Sequence, residues 1–125
     1  MGKAALVYDG ECGLCRAAVR AVRSLDRESR IEPVAAQSPA ARELTPGMSE
    51  EERLSSFHLV EDGEVRSGPQ ALAPTLRLLP PLDPVASLLE RNRTAYRMAA
   101  AAYHWITPRR HRLARLLPDR WKRPL

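Results

Sequence analysis

Residues 4–15 combine an apolar run, a turn and two cysteines, and they read Ala4-Ala5-Leu6-Val7-Tyr8-Asp9-Gly10-Glu11-Cys12-Gly13-Leu14-Cys15. The apolar run predicts a buried strand, and Asp-Gly directly after it predicts a turn. From Gly13 to about Arg27, apolar residues recur on one face and arginines on another, which predicts an amphipathic helix. A second strand is expected from Ile31 to Ala35. Strand, helix and strand within about 32 residues is the length of a βαβ unit, with both cysteines at the start of its helix.

The composition is that of one compact globular domain. The chain has 125 residues, of which 44% are hydrophobic and 28% charged, and these fractions exclude disorder as the main state. The net charge of +5 arises at one end, because residues 107–125 hold seven bases and one acid, net +6, whereas the other 106 residues sum to −1. The seven bases are Arg109, Arg110, Arg112, Arg115, Arg120, Lys122 and Arg123.

The location expected from the sequence is the cytoplasm. The apolar run of five residues near the start is far shorter than the core of a signal peptide. The longest weakly charged stretch, Met98 to Ile106, is about half the length that a membrane helix needs, so no membrane span is expected. Structural disulfides are rare in the cytoplasm, and a close pair of cysteines there usually serves redox chemistry or metal binding.

The spacing of Cys12 and Cys15 suits a reversible disulfide, because residues three apart on a helix lie about 5 Å from each other. Unpaired N–H groups at a helix start favour a negative sulfur, so Cys12 is the expected nucleophile. Cys15, further inside and less exposed, is expected to resolve the mixed disulfide. Asp9 is expected either to take or relay the proton of the resolving thiol, or to cap the turn. Asp9 and Glu11 both oppose a strongly acidic Cys12.

A metal site is the main chemical alternative for the cysteine pair. Zinc needs four ligands, and one Cys-x-x-Cys supplies two. His58, His104 and His111 lie far from the cysteines in sequence and have no paired spacing, so zinc would have to be shared between chains. An inert, structural pair also stays open. We expect no bound metal and no cofactor, with electrons supplied by another thiol system.

The arginines of the predicted cysteine helix form a stripe, because Arg16, Arg20, Arg23 and Arg27 are spaced four, three and four apart. Such a stripe either is a solvated face or attracts anionic partners. Only Arg16 is near enough in sequence to Cys15 to affect its chemistry.

Further along the chain, the sequence predicts a hairpin and then helices. Residues 37–53 are polar and contain prolines, which predicts a short helix and a loop. Asp62-Gly63, flanked by Phe57-His58-Leu59-Val60 and Glu64-Val65-Arg66-Ser67, predicts a two-residue hairpin turn. A helix is expected over residues 68–79, kinked or delayed by Pro74.

Helices are expected to continue to the C-terminal end. Asp83 followed by Pro84 is typical of an N-cap and the first residue of a helix, and helices should extend from there through Trp105. A further helix start is expected at Thr107-Pro108, leading into the basic residues.

The Tyr-Asp-Gly-x-Cys-x-x-Cys sequence of residues 8–15 resembles the DCC family of thiol-disulfide oxidoreductases, which is named after its Asp-Cys-Cys motif. Segments along nearly the whole chain also resemble that family: Asp62-Gly63, Gly68-Pro69-Gln70-Ala71-Leu72, Leu79-Pro80, Ala95-Tyr96-Arg97 and Arg109-Arg110-His111-Arg112. The resemblance implies a thioredoxin-like α/β fold, with Asp9, Cys12 and Cys15 as motif residues. Residues 1–80 are then expected to form the thioredoxin-like core, a central sheet built from the βαβ unit, the hairpin and a helix. Residues 81–125 are expected to form a helical C-terminal extension of the same domain, basic from residue 107.

One feature of thioredoxins and glutaredoxins is missing from the sequence. Those proteins place a cis-proline directly before the first hairpin strand, packed against the cysteine motif, where it docks the backbone of the substrate. Here Leu54-Ser55-Ser56 precede Phe57. Substrate docking in that mode and glutathione binding by the glutaredoxin pattern are therefore not expected.

The function expected from these observations is that of a thiol-disulfide oxidoreductase of the protein-disulfide reductase type. Its substrates would be protein or low-molecular-weight disulfides, and an upstream thiol donor would restore the dithiol. The alternative is a redox-sensing binding or regulatory module whose basic C-terminal segment contacts the partner. Specific nucleic-acid binding is not expected, because no nucleic-acid motif is present and only Trp105 and Trp121 flank the basic segment as aromatics.

Overall fold

The computed structural model describes residues 3–123, and a mixed four-stranded sheet lies at their centre. Strand β1 (Ala4–Tyr8) pairs in parallel with β2 (Ile31–Ala35) and antiparallel with β3 (His58–Glu61), which forms a hairpin with β4 (Glu64–Ser67). The strand order is therefore β2-β1-β3-β4. This sheet, flanked by helices, confirms the predicted α/β class.

Strand β1 occupies an inner position because it is apolar on both faces. All five of its residues are buried, and successive side chains enter different clusters: Leu6 packs in one with Leu59, and Val7 in the other with Val60. The neighbouring strand β2 is an edge strand and contains Pro33. An edge tolerates proline because a missing N–H there costs no ladder hydrogen bond on the open side.

Helix α1 (Gly13–Leu25) connects β1 to β2, which confirms the predicted βαβ unit with both cysteines at the start of its helix. Its apolar face packs onto the sheet, and Val19 has no exposed surface. The helix ends at Asp26, whose carboxylate accepts hydrogen bonds of 2.9 Å from the N–H groups of Arg30 and Ile31. The end of α1 therefore leads directly into β2.

Two short helices lie between β2 and β3, where one helix and a loop were expected. Helix α2 (Pro39–Leu44) is capped by Ser38, and helix α3 (Glu50–Ser55) begins with a capping box between Ser49 and Glu52. These reciprocal hydrogen bonds stabilise a helix of only six residues, which explains why apolar periodicity alone does not reveal α3.

The hairpin between β3 and β4 agrees with its prediction. Asp62 and Gly63 have positive φ angles of 52° and 78°. A tight two-residue turn needs positive φ at both central positions, and Asp-Gly tolerates it better than most dipeptides. The turn sets the register in which Glu61 faces Glu64.

The helix predicted over residues 68–79 is present but shorter and split. A 3₁₀ turn (Gly68–Ala71) leads into helix α4 (Leu72–Arg77). Pro74 lies in the first turn of α4, where its missing N–H has no helical partner to lose. Pro74 thus delays the α-helix, as expected, and does not kink it.

Asp83 is not the N-cap that the sequence suggested. A 3₁₀ turn (Pro80–Leu82) runs straight into helix α5 (Asp83–Arg91), so Asp83 already has helical backbone angles of −56° and −41°. Its carboxylate forms an ion pair of 3.2 Å with Arg77 of α4 instead of capping the helix. The prediction is therefore wrong by one position.

The C-terminal helices fold back onto α1. Helix α6 (Arg93–Ile106) follows α5 directly, and a 3₁₀ turn (Thr107–Arg109) continues into helix α7 (Arg110–Ala114), which confirms a helix start at Thr107-Pro108. Both α7 and a last 3₁₀ turn (Asp119–Trp121) pack against α1. The basic end of the chain therefore lies beside the cysteine helix.

Two predictions extend to the ends of the chain. The first two and last two residues, which belong to the predicted ranges 1–80 and 81–125, lie outside the described residues. Across residues 3–123, no helix is both long enough and apolar enough to cross a membrane.

Candidate active site

The turn between β1 and α1 places the two cysteines at one end of the sheet. Cys12 is the N-cap of α1, with extended backbone angles of −92° and 119°. Its Sγ atom accepts a hydrogen bond of 3.3 Å from the backbone N–H of Cys15, as Ser or Asp would do at an N-cap. Both cysteines are free thiols. The sulfur of Cys12 therefore lies where the N–H groups of the helix start favour negative charge.

Both thiols are buried, and their order of exposure differs from the prediction. Cys12 has 0% of its surface exposed and Cys15 has 5%, whereas Cys12 was expected to be the more exposed of the two. Both cysteines belong to the core cluster that contains Leu6 and Val19, and the C-terminal residues lie on the start of α1. Gly13, between the cysteines, is buried against Ala114 and the side chain of Lys122.

The two thiols have opposite pKa shifts. The hydrogen bond from the Cys15 thiol is the main cause that lowers the pKa of Cys12 to about 6 from 9.0. The Cys15 N–H and the positive charges of Arg110 and His111 act in the same direction, against the effect of burial. The pKa of Cys15 is raised, first by its hydrogen bond to Cys12, then by burial and by the charge of Cys12. The two shifts favour the thiolate at Cys12 and the protonated thiol at Cys15.

Asp9 is buried beside the turn and makes contacts with both of its oxygens. Its Oδ1 accepts hydrogen bonds from the N–H of Glu11 at 3.0 Å and from the amide of Gln37 at 2.7 Å. Gln37 also accepts a hydrogen bond from the N–H of Gly10. The expected capping of the turn by Asp9 is therefore present.

Arg110 of α7 joins Asp9 to the cysteines. Its Nη2 lies 3.1 Å from the Oδ2 of Asp9 and donates a 2.8 Å hydrogen bond to the backbone oxygen of Leu54. Its Nη1 lies 3.7 Å from the Sγ of Cys15. The sequence singled out Arg16 as the arginine near the cysteines, but Arg16 binds the backbone oxygens of Gly10 and Lys122 instead.

Arg110 is a site residue that sequence reasoning missed. It is 95 positions from Cys15, inside the run Arg109-Arg110-His111-Arg112. That run was visible as a basic segment, but which of its arginines faces the site depends on how α7 packs on α1. No local pattern carries this information.

One protein-family model, described as DCC1-like thiol-disulfide oxidoreductase, matches residues 6–116. The chain belongs to the DCC1-like thiol-disulfide oxidoreductase family. This confirms the resemblance seen in the motif and the thioredoxin-like fold with helices at its C-terminal end. No curated protein and no solved structure matches the chain significantly. The matched range contains Asp9, both cysteines and Arg110, and it ends before Lys122.

A cavity of about 230 Å³ adjoins Cys15 in this DCC1-like chain. Its lining is mostly apolar and includes Cys15, Phe57, Tyr103 and Arg110. The hydroxyl of Tyr103 accepts a 3.0 Å hydrogen bond from the N–H of Phe57, in the segment directly before β3. This N–H is thus already bonded within the chain, at the place where thioredoxins dock the backbone of the substrate beside a cis-proline.

His58 lies apart from the cysteines of the DCC1-like site, whereas His111 is near enough for its charge to act on Cys12. His58 is buried in β3, where it contacts the Ser67 hydroxyl and two backbone oxygens of α3. Throughout residues 3–123, no group of three histidine, cysteine, aspartate or glutamate side chains is arranged to hold a metal ion. Within that part of the chain, the cysteine pair therefore lacks the further ligands that zinc requires.

The basic C-terminal residues and the arginine stripe are partly used inside the molecule. Arg110 faces the cysteines, and Arg16 and Arg20 of the stripe donate hydrogen bonds to the backbone oxygens of Lys122 and Arg123. The stripe is therefore not simply a solvated face, because two of its four arginines bind the C-terminal residues of the described chain.

Proposed function

We propose that the protein transfers electrons between its Cys12–Cys15 pair and disulfides of proteins or of low-molecular-weight thiols. The observation that carries the proposal is the position of Cys12 at the N-cap of α1, where the Cys15 N–H bonds to its sulfur at 3.3 Å and the Cys15 thiol helps lower its pKa to about 6. A thiolate at neutral pH next to a protonated thiol is the arrangement that dithiol exchange requires.

In the first step, the thiolate of Cys12 attacks one sulfur of the substrate disulfide. The substrate S–S bond breaks, a mixed disulfide forms between Cys12 and the substrate, and the second substrate sulfur leaves as a thiolate that takes a proton from solvent. Cys12 is suited to this attack because the start of α1 and the Cys15 thiol stabilise its negative charge before any substrate binds.

In the second step, Cys15 attacks the Sγ of Cys12 and releases the other substrate thiolate. The pKa of Cys15 is raised mainly by its hydrogen bond to Cys12, and the negative charge of Cys12 contributes as well. Both causes disappear once Cys12 is in the mixed disulfide, while Arg110 stays beside the Cys15 sulfur and favours its thiolate. The first step therefore activates the nucleophile of the second.

Asp9 is the residue that we assign to the proton of Cys15. Its carboxylate is joined to Cys15 through Arg110, and the ion pair with Arg110 positions it at the site. We infer that it accepts the Cys15 proton directly or through one water molecule. The substrate gains two electrons, the protein ends as the Cys12–Cys15 disulfide, and a separate thiol donor restores the dithiol.

The experiment is reduction of insulin with dithiothreitol as the donor, using wild type, Cys12→Ser and Cys15→Ser. We expect the wild type to accelerate reduction and Cys12→Ser to lose the acceleration. Cys15→Ser should accumulate a mixed disulfide at Cys12, visible by mass spectrometry of the unreduced sample. Equal activity of the wild type and Cys12→Ser, or adducts that form at Cys15 as readily as at Cys12, would refute the proposal.

A further inference from the structure

The strongest unexplained feature is that the proposed nucleophile has no exposed surface. Cys12 is 0% exposed, although the N-terminal end of a helix after a turn is ordinarily open to solvent. Cys12 packs into the core cluster, and residues from the far end of the chain lie on the turn of α1 that directly follows it. Residues 119–123, called the C-terminal cover here, lie on α1 at Gly13, Arg16 and Arg20.

We propose that the C-terminal cover is a gate over Cys12, closed in this structure, that must move away before Cys12 meets a substrate. This inference rests on the proposed function, because the gate would regulate access to the cysteine site proposed there. The gate has two states. In the closed state Cys12 is unreactive, and in the open state it is accessible to a substrate.

The closed form has a tightly fitted contact at Gly13. A Cβ atom built on Gly13 would lie 3.0 Å from the Cδ of Lys122 and 3.2 Å from the Cβ of Ala114. Because Gly13 has no side chain, the stem of Lys122 can lie directly over the residue between the two cysteines. The charged end of Lys122 turns away and pairs with Asp119 at 3.3 Å.

The C-terminal cover is held on α1 by few interactions. Arg16 and Arg20 donate hydrogen bonds to the backbone oxygens of Lys122 and Arg123, the second at 2.8 Å. The large apolar side chain of the cover, Trp121, is 45% exposed and adds little burial. A segment held by a few partly exposed hydrogen bonds opens at a small free-energy cost, unlike a segment of the core.

Opening the cover leaves the rest of the site in place. Arg110 is anchored separately, by Asp9 and by the backbone oxygen of Leu54, and α7 has packing contacts of its own with α1. The family match also ends at residue 116, so the cover lies beyond the part that matches the family. The gate is therefore an addition to an already complete cysteine site.

The chemical benefit of such a gate follows from the state of Cys12. A thiolate that persists at neutral pH is the form most easily oxidised beyond the disulfide level. A closed cover keeps peroxides and other small oxidants away from this sulfur. A protein substrate that binds next to the site can displace the few contacts of the cover.

The test is the alkylation of the reduced full-length chain by iodoacetamide at pH 8, with Cys12 followed by mass spectrometry. At pH 8, Cys12 is already a thiolate, so the rate reports its accessibility rather than its protonation. The reference rate of an unhindered thiolate comes from the same chain in urea at pH 8, after division by the thiolate fraction measured there, because an unfolded cysteine keeps its ordinary pKa of about 8.5. We expect native Cys12 to react at least about ten-fold more slowly than this reference.

Two variants should open the gate by different means. Arg20→Gln removes the hydrogen bond to Arg123. Gly13→Ala places a methyl group against the flexible side chain of Lys122 and against Ala114 of α7, on a backbone that alanine tolerates, and the side chain of Lys122 is the neighbour that can move away. Each is expected to raise the alkylation rate of Cys12 about three- to ten-fold. Arg23→Gln is the matched control on the exposed face of the same helix and should leave the rate unchanged.

The outcomes separate this inference from the proposed function. A native rate equal to the reference rate of the unhindered thiolate, or a rate that Arg20→Gln and Gly13→Ala both leave unchanged, would overturn the gate. If Gly13→Ala fails to fold, as judged by circular dichroism, then Arg20→Gln against Arg23→Gln decides alone. Alkylation needs no disulfide substrate, so the gate can be confirmed in a protein that fails to reduce insulin, and refuted in one that succeeds.

Discussion

The pairing of the two thiols makes a strong prediction about the replacement of Cys15. In the structure, the pKa of Cys12 is lowered from 9.0 to about 6, which corresponds to about 4 kcal/mol in favour of the thiolate. The Cys15 thiol is the first cause of that shift, ahead of the Cys15 N–H and the charges of Arg110 and His111. Removing only this donor should therefore reverse a large part of the shift.

Cys15→Ala removes the donor, whereas Cys15→Ser replaces the thiol by a hydroxyl that still donates. We expect the pKa of Cys12 to rise by about 1 to 2 units in Cys15→Ala, because burial then acts against fewer stabilising contacts. In Cys15→Ser it should stay within about half a unit of the wild-type value, since an O–H donor takes the place of the S–H donor. Both variants keep the backbone N–H at position 15.

The assay is the ultraviolet absorbance of the thiolate as a function of pH, checked by the pH dependence of iodoacetamide alkylation. Each variant contains a single cysteine, so the titration belongs to Cys12 without ambiguity. If Cys15→Ala titrates near the wild-type midpoint of about 6, the Cys15 thiol is not what stabilises the thiolate. If the pKa of Cys12 shifts equally in Cys15→Ala and Cys15→Ser, loss of packing rather than loss of a hydrogen-bond donor explains the change. Either result would refute the reasoning behind the proposed nucleophile.

Three further predictions follow from the contacts around the site and the core. Arg110→Gln should raise the pKa of both thiols and slow the release of substrate from the mixed disulfide. Arg112→Gln is the control and should do neither. Stopped-flow reduction of insulin compares the release rates of the two variants. His58→Leu should lower the free energy of unfolding by about 2 to 4 kcal/mol in urea titrations, because it leaves two backbone oxygens and the Ser67 hydroxyl without their buried partner. The reduced protein should gain at most about 4 kcal/mol of stability between pH 6 and pH 9, because the folded-state pKa of Cys12 lies below its unfolded value, and this gain should vanish in Cys12→Ser.

The proposed reaction and the proposed gate place different demands on the same C-terminal segment. Arg110 has to remain at the site throughout the reaction, because it contacts the Cys15 sulfur and Asp9. The cover has to leave the site before the reaction starts. The structure accommodates both demands because Arg110 belongs to α7, while the cover is attached to α1 through backbone oxygens that accept from Arg16 and Arg20.

Much of the architecture could be predicted from local patterns. The βαβ unit follows from an apolar run, an amphipathic helix and a second short strand, and the hairpin follows from Asp62-Gly63. Patterns failed where short-range hydrogen bonds decide the outcome. Helix α3 depends on the capping box at Ser49, and the start of α5 depends on a 3₁₀ turn that brings Asp83 into the helix one position early.

The sequence by itself determined the cysteine pair, its position at the start of a helix after a strand, and the identity of Asp9 as its acidic neighbour. Each of these is a matter of spacing over fewer than ten residues, and the geometry of a helix start follows from such spacing. The tertiary structure alone decided that Arg110 reaches Cys15 and that Lys122 covers Gly13, across separations of 95 and 109 positions. Contacts at that distance depend on how the C-terminal helices pack on α1, and packing is a property of complementary surfaces rather than of any local pattern.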